Sequence, residues 1–162
     1  MIKKLGALLL VTLLAGGAYQ YFQGSDSDGL ELEEGYRFLY DGASLSGWRA
    51  IGGDASFEAV GEEIVGRRGP GANSFLRTQE SYEDFSLKLQ MRWDELGNSG
   101  VLFRAGQRDG DGRAYGYQYE LDHSDRAWSG GIYDEARRGW LADLADNEAA
   151  RRAIRLHDWN DI

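Results

Sequence analysis

The chain has 162 residues, 23 glycines, no cysteine and a formal charge of −9. An acidic chain repels phosphate backbones, so nucleic acid is an unexpected partner and a neutral ligand is favoured. Disulfides cannot contribute to the fold, and the length suffices for one domain with a single core.

Residues 1–18 are typical of a signal peptide. A basic start precedes an apolar run from Leu5 to Leu14, and Gly16 and Ala18 occupy the small positions before a cut. An uncleaved anchor is the less favoured alternative, because the run is shorter than the about 20 residues that span a bilayer. We therefore expect export to the periplasm or the medium, with no stable membrane span after cleavage. Cleavage leaves 16 basic and 27 acidic side chains, a formal charge of −11.

Residues 19–34 form a predicted linker, since the stretch Gln23–Gly29 is small, polar and acidic. One domain is expected over residues 35–162. The sequence leaves its oligomeric state open.

Short alternating apolar runs between Gly, Asp and Asn predict an all-β sandwich. The predicted strands are Tyr36–Tyr40, Phe57–Val60, Ile64–Gly66, Phe75–Thr78, Phe85–Trp93, Gly100–Ala105, Tyr115–Asp122 and Gly130–Tyr133. One short surface helix is predicted from Asn147 to about Leu156, with Asn147 as its N-cap.

The strand Tyr115–Asp122 carries the most information about function. Alternation gives it two faces, with Tyr117, Tyr119 and Leu121 on one and Gln118, Glu120 and Asp122 on the other. Carboxylates and an amide beside Trp and Tyr suit a sugar-binding cleft, because they accept hydrogen bonds from hydroxyls while aromatic rings cover C–H faces. An acidic strand that is merely solvated is the alternative.

Several co-linear motifs after Gly35 resemble the 3-keto-disaccharide hydrolase domain family of exported bacterial proteins. They are Phe38–Trp48, Asn73–Leu76, Asn98–Arg104, Tyr115–Gln118, Trp128–Tyr133, Arg138–Trp140 and Trp159–Asn160. The resemblance implies a concanavalin A-like jelly roll with a ligand groove on one sheet. It also implies an enzyme that cleaves glycosides whose C3 hydroxyl has been oxidised to a ketone. Members of that family continue past the Trp-Asn motif through further strands, so we expect this jelly roll to be incomplete at its C-terminus.

A C3 ketone acidifies the C2–H bond, so cleavage by elimination and hydration needs a base, an oxyanion stabiliser and an acid. Glu120 is the first candidate for the base, with Asp122 beside it. Arg104 is expected on a neighbouring strand, either to bind the ketone oxygen or to balance the charge of Glu120. His123 is a candidate acid.

Gln118, Trp128, Tyr133 and Trp140 are candidate substrate-binding residues, and the expected partner is a small carbohydrate. No cofactor is certain, but the oxygens of Glu120 and Asp122 are candidate ligands for Ca²⁺ or Mg²⁺.

Two alternative functions stay open. A laminarinase-like retaining glycosidase needs two carboxyl groups about 5–5.5 Å apart, and Ser124 stands where the second Glu would be expected, with only Asp125 nearby. The second alternative function is a non-catalytic carbohydrate-binding module on the same fold.

Overall fold

The computed structural model describes residues 34–162 and, as backbone only, residues 10–14 and 19–23. Its strands, in chain order, are β1 Leu10–Leu14, β2 Tyr19–Gln23, β3 Trp48–Gly52, β4 Ser56–Val60, β5 Glu63–Arg67, β6 Ser74–Thr78, β7 Gln90–Trp93, β8 Asn98–Gln107, β9 Ala114–Asp122, β10 Ile132–Glu135, β11 Gly139–Ala142 and β12 Asn160–Asp161. One short helix, α1, covers Glu148–Arg151. No helix within these described ranges has the length and apolar character needed to cross a membrane.

The strands form two antiparallel sheets, which confirms the prediction of a β-rich fold with one short helix. The first sheet has seven strands in the order β11-β10-β9-β8-β1-β6-β3, and the second has five in the order β12-β7-β2-β5-β4. Strand β1 thus lies between β8 and β6, and β2 lies between β7 and β5. Both strands come from the stretches predicted as signal peptide and linker.

The main hydrophobic core joins the two sheets. Leu76, Val101 and Leu121 of the first sheet pack in one cluster with Met91 and Trp93 of the second. Leu121 is buried and Tyr119 packs against this cluster, as the alternation of β9 predicts. Tyr117 is not in the cluster, because its ring lies beside Phe103 and its hydroxyl accepts a hydrogen bond from Arg138.

Five predicted strands match β4, β5, β6, β8 and β9, and the stretch Gly130–Tyr133 overlaps β10. The predicted strand Phe85–Trp93 forms only from Gln90 onward. The predicted strand Tyr36–Tyr40 is wrong. Tyr40 anchors a loop there instead, because it is buried and donates from its hydroxyl to the Gly61 carbonyl at 2.9 Å.

Strands β3 and β11 were not predicted, because each is a short run with small or glycine residues that pairs with a stronger neighbour. The helix begins as predicted, with the Asn147 side chain accepting from the backbone N–H of Ala150 at 3.0 Å. It ends at Arg151 rather than near Leu156. Ile154 and Leu156 pack against the core from outside a helix, which explains their apolar character.

Candidate functional site

The polar face of β9 forms a buried network on the side of the sheet opposite Leu121. Gln118, Glu120 and Asp122 are 0%, 2% and 1% exposed. A solvated acidic strand would leave these side chains open to water, so that alternative is wrong. Burying two carboxylates costs free energy unless hydrogen bonds or cations compensate each one.

Glu120 receives hydrogen bonds from three side chains. Its Oε1 accepts from Nδ2 of Asn98 and, at 3.3 Å, from Nη2 of Arg126, while its Oε2 accepts from Nε2 of Gln118 at 2.8 Å. Burial nevertheless raises the pKa of Glu120 above its usual 4.5, and the charge of Asp122 adds to this, although all three donors act to lower it. A carboxyl group with a raised pKa is a candidate proton acceptor.

Gly100 gives Gln118 the space that it needs beside Glu120. Residue 100 pairs with Glu120 in the ladder between β8 and β9. A Cβ at position 100 would lie 2.5 Å from Cγ and 2.6 Å from Cδ of Gln118, closer than real Cβ atoms come to their neighbours. The glycine is therefore part of the site, although it contributes no side chain.

Asp122 organises the loop that follows β9. Its Oδ1 accepts from the backbone N–H of Ser124 at 3.1 Å, and its Oδ2 accepts from Nε of Arg126 at 2.7 Å. Its backbone N–H donates to Oγ of Ser129 at 2.8 Å. Burial alone would raise the pKa of Asp122, but the bonds from Ser124 and Arg126 outweigh it and lower the pKa. Asp122 is therefore a positioning residue, because it holds the loop that carries Arg126.

Arg126 is the cation of the site, and the sequence reasoning missed it. Its guanidinium bonds both carboxylates and lies 5.1 Å from the ring centre of Trp128 and 4.8 Å from that of Trp140. Its side chain is 39% exposed, so it is the part of this network that a ligand in solvent would meet. A signal was present: two carboxylates on one buried face require a cation, and Arg126 is the next basic residue along the chain.

Three predicted sugar-binding aromatic residues lie together, and two of them, Trp128 and Trp140, lie beside Arg126. Trp140 meets Trp128 edge to face, with ring centres 4.7 Å apart, and meets Tyr133 in the same way at 5.1 Å. The residues predicted to bind substrate, including Gln118, are thus brought to one place. Their role in sugar binding stays a prediction.

Arg104 lies apart from this network, and His123 directs its ring toward the core residue Trp93. Arg104 has a φ of 50° at an irregularity in β8, and its Nη2 contacts Oδ1 of the exposed Asp84 at 2.5 Å. Arg104 therefore does not balance the charge of Glu120; Arg126 does. The His123 ring lies 5.8 Å from the ring of the buried core residue Trp93, and burial lowers the pKa of His123.

A divalent metal at Glu120 and Asp122 stays a prediction, and the arrangement fits it poorly. Arg126 already supplies positive charge to both carboxylates. Among the described residues, no group of three or more His, Asp or Glu side chains is gathered so as to hold a metal ion.

Comparison with known proteins identifies the family. No curated protein matches the chain. A family model described as the 3-keto-alpha-glucoside-1,2-lyase-like domain matches residues 35–162, which is the whole predicted domain and includes every residue of the Glu120 network. The chain therefore belongs to the family of 3-keto-α-glucoside-1,2-lyase-like domains, whose description implies cleavage of 3-keto glycosides.

Proposed function

We propose that this domain cleaves glycosides oxidised at C3, with Glu120 as the base that removes the C2 proton. The observation that carries the proposal is the buried carboxyl group of Glu120, whose pKa is raised by burial and which lies beside a partly exposed guanidinium. A base needs a pKa near the working pH, and the anion that forms needs a cation.

The reaction is an elimination across C1 and C2. Glu120 takes the proton from C2, and the C2–H electron pair moves to the C3 carbonyl to form an enolate. The enolate then re-forms the C3 carbonyl while a C1=C2 double bond forms and the C1–O bond breaks, and protonated Glu120 returns its proton to the departing oxygen. The products are an alcohol and a 1,2-unsaturated 3-keto sugar. Later addition of water to that product would give a net hydrolysis, but the family description names a lyase and favours the elimination as the catalysed step.

Arg126 is the proposed stabiliser of the enolate oxygen, in place of Arg104. Its Nη2 bonds Glu120 at 3.3 Å, a weaker contact than its Nε bond to Asp122 at 2.7 Å. An incoming ketone oxygen can take over the Nη2 bond while Asp122 keeps hold of Nε. That exchange removes one of the two hydrogen bonds to Oε1 of Glu120, leaving the one from Asn98, and places the cation on the oxygen that becomes charged.

The buried position of Glu120 requires that the substrate reach it past Arg126. Trp128 and Trp140 lie against Arg126, and Tyr133 lies against Trp140, so these three rings are the proposed contacts for the sugar. Gln118, which donates to Glu120, is proposed to orient the base. The family resemblance supports a concanavalin A-like jelly roll as the complete architecture and export as the route to an oxidised extracellular glycoside.

A non-catalytic carbohydrate-binding module is the second candidate. The observation that favours it is that both oxygens of Glu120 already accept hydrogen bonds and that its side chain is almost fully buried. A retaining glycosidase has less support. Asp125 is exposed in the loop after β9, and the backbone N–H of Arg126 lies within hydrogen-bonding distance of the Ser124 hydroxyl, so neither residue extends the strand.

The test compares a 3-keto glycoside with the same glycoside unoxidised at C3. We expect turnover of the first alone, formation of a conjugated enone that absorbs in the ultraviolet, and slower turnover when C2 carries deuterium. Binding of either glycoside without turnover would support the binding module, and turnover of the unoxidised glycoside would support the glycosidase.

A further inference from the structure

Strand β1 is bonded on both sides although its sequence is typical of a signal peptide. Residues 10–14 pair with β8 in a continuous register from Leu10↔Leu102 to Leu14↔Asn98. Residues 10–13 also pair with β6, from Leu10↔Arg77 to Leu13↔Ser74. The segment reads Leu-Val-Thr-Leu-Leu, and its apolar and β-branched residues suit a central strand as well as an export signal.

The predicted cut after Ala18 separates β1 from β2. Strand β2 begins at Tyr19 and fills the corresponding place between β5 and β7 of the other sheet. Cleavage would therefore leave β2 in the mature chain and remove β1. The two sheets respond differently to the same event, because only the sheet with the Glu120 network loses a central strand.

Strands β6 and β8 each hydrogen-bond to β1 and not to each other. Loss of β1 therefore leaves an opening one strand wide between them. Neighbouring strands lie about 4.8 Å apart, so the opening is about 10 Å wide, and the backbone groups that faced β1 lose their partners. Phe75, Leu76, Val101 and Leu102, all buried in the uncut chain, border this opening. Such an edge binds any extended apolar segment that matches its register.

We propose that the opening between β6 and β8 is a strand-acceptor site, and that Leu10–Leu14 of the same chain is its occupant until the leader is removed. The leader thus has a second role beyond export, as the strand that completes the first sheet of the uncut protein.

Strand β8 connects this acceptor site to the Glu120 network, so binding of β1 is expected to affect the residues that hold Glu120. Asn98, which donates to Glu120, pairs with Leu14, and Gly100, which makes room for Gln118, pairs with Thr12. The residues that hold Glu120 from β8 therefore belong to the strand edge that β1 covers.

Disulfide mapping tests the register, and the lack of native cysteine makes the result unambiguous. Two double variants place cysteines at opposite residues of β1 and β8. One carries Val11→Cys with Val101→Cys, and the other carries Leu10→Cys with Leu102→Cys. Consecutive antiparallel pairs have Cα spacings of about 5.5 Å and about 4.5 Å, and both values lie within the range that disulfides span. We expect oxidation to cross-link at least one of these pairs in the uncut chain. The control Val11→Cys with Val60→Cys, which reaches an exposed strand of the other sheet, should not cross-link. Absence of both cross-links, or equal cross-linking of the control, would overturn the proposal.

Hydrogen exchange tests the acceptor site itself. The uncut chain is compared with the same chain beginning at Tyr19, with and without a synthetic peptide of residues 8–16. We expect amides of β6 and β8 to exchange about 100-fold faster without the leader, amides of β4 and β5 to change little, and the peptide to restore protection. The same peptide carrying Val11→Pro and Leu13→Pro, which lacks two backbone N–H donors, should not restore it.

If the shortened chain unfolds altogether, recovery of protection on addition of the peptide still supports the acceptor site. Unchanged protection without the leader, or unfolding that the peptide does not reverse, would overturn it. Neither measurement depends on turnover, so the result for the acceptor site is independent of whether the proposed enzyme activity is found.

Discussion

Glu120 and Asp134 are buried acids on the neighbouring strands β9 and β10, and they are compensated in different ways. Asp134 is fully buried, and two arginines hold it: Nε of Arg137 lies 2.6 Å from Oδ1, and Nε of Arg138 lies 2.5 Å from Oδ2. Glu120 has one arginine, Arg126, and shares it with Asp122.

The balance between burial and the bonds to each carboxylate sets the direction of its pKa shift. Burial alone would raise the pKa of Asp134, but its bonds to Arg138 and Arg137 outweigh burial and lower the pKa. Burial dominates at Glu120, and its pKa is raised. The lowered pKa keeps Asp134 ionised at neutral pH in a structural role, whereas Glu120 takes up a proton at a higher pH than an ordinary glutamate.

The largest expected effect is that of Glu120→Gln. The amide keeps the shape of the side chain but cannot accept the C2 proton, so turnover of a 3-keto glycoside should fall by about 10³-fold. Stability at neutral pH should be at least that of the wild type. The raised pKa of Glu120 contributes stability below pH 4.5 that is lost as pH rises through the folded-state value, and the amide removes this loss. Near-normal turnover in a folded Glu120→Gln protein would place the base elsewhere.

Replacement of Arg126 should have the next largest effect and should also change the pH profile. Because the guanidinium charge lowers the pKa of Glu120, Arg126→Met should raise that pKa further and reduce turnover by about 10²-fold. The acid limb of kcat/KM should lie above pH 4.5 in the wild type and move to higher pH in the variant. Arg126→Lys should restore part of the shift but less of the turnover, since an ammonium lacks the guanidinium fork. An acid limb that stays in place would show that Arg126 does not act on Glu120. Arg104→Met is the matched control, and its profile should match that of the wild type.

A smaller effect is expected from Gly100→Ala. The added Cβ displaces the Gln118 side chain and with it the hydrogen bond to Oε2 of Glu120, so turnover should fall by about tenfold. Steady-state kinetics would measure the loss of turnover, and circular dichroism would show whether the variant is still folded. Wild-type turnover would show that Gln118 does not orient the base.

The counterpart of Glu120→Gln on the neighbouring strand is Asp134→Asn, which should leave turnover nearly unchanged. It removes the charge that holds Arg137 and Arg138, both of which reach solvent, so the free energy of unfolding should fall by about 1–2 kcal/mol. Urea unfolding alongside the turnover assay checks both expectations. If Asp134→Asn abolishes turnover while the protein stays folded, the division between a reactive and a structural acid is wrong.

The alternation of β9 was enough to predict part of the site. It put Glu120 on the face opposite Leu121, and the buried cluster on each side of the sheet confirms this. The same reasoning failed for Arg104, because the irregularity in β8 between Phe103 and Gly106 interrupts the regular alternation on which it relied.

The sequence by itself determined the β-rich class, the family and the polar face of β9, because periodicity and short motifs are local properties. Only the tertiary structure decided which arginine serves Glu120, because the loop after β9 turns back through bonds between Asp122 and Ser129 that no spacing rule predicts. It also decided the place of Leu10–Leu14. An apolar run that is typical of an export signal also suits a central strand, and only the ladders on both of its sides place it within the first sheet.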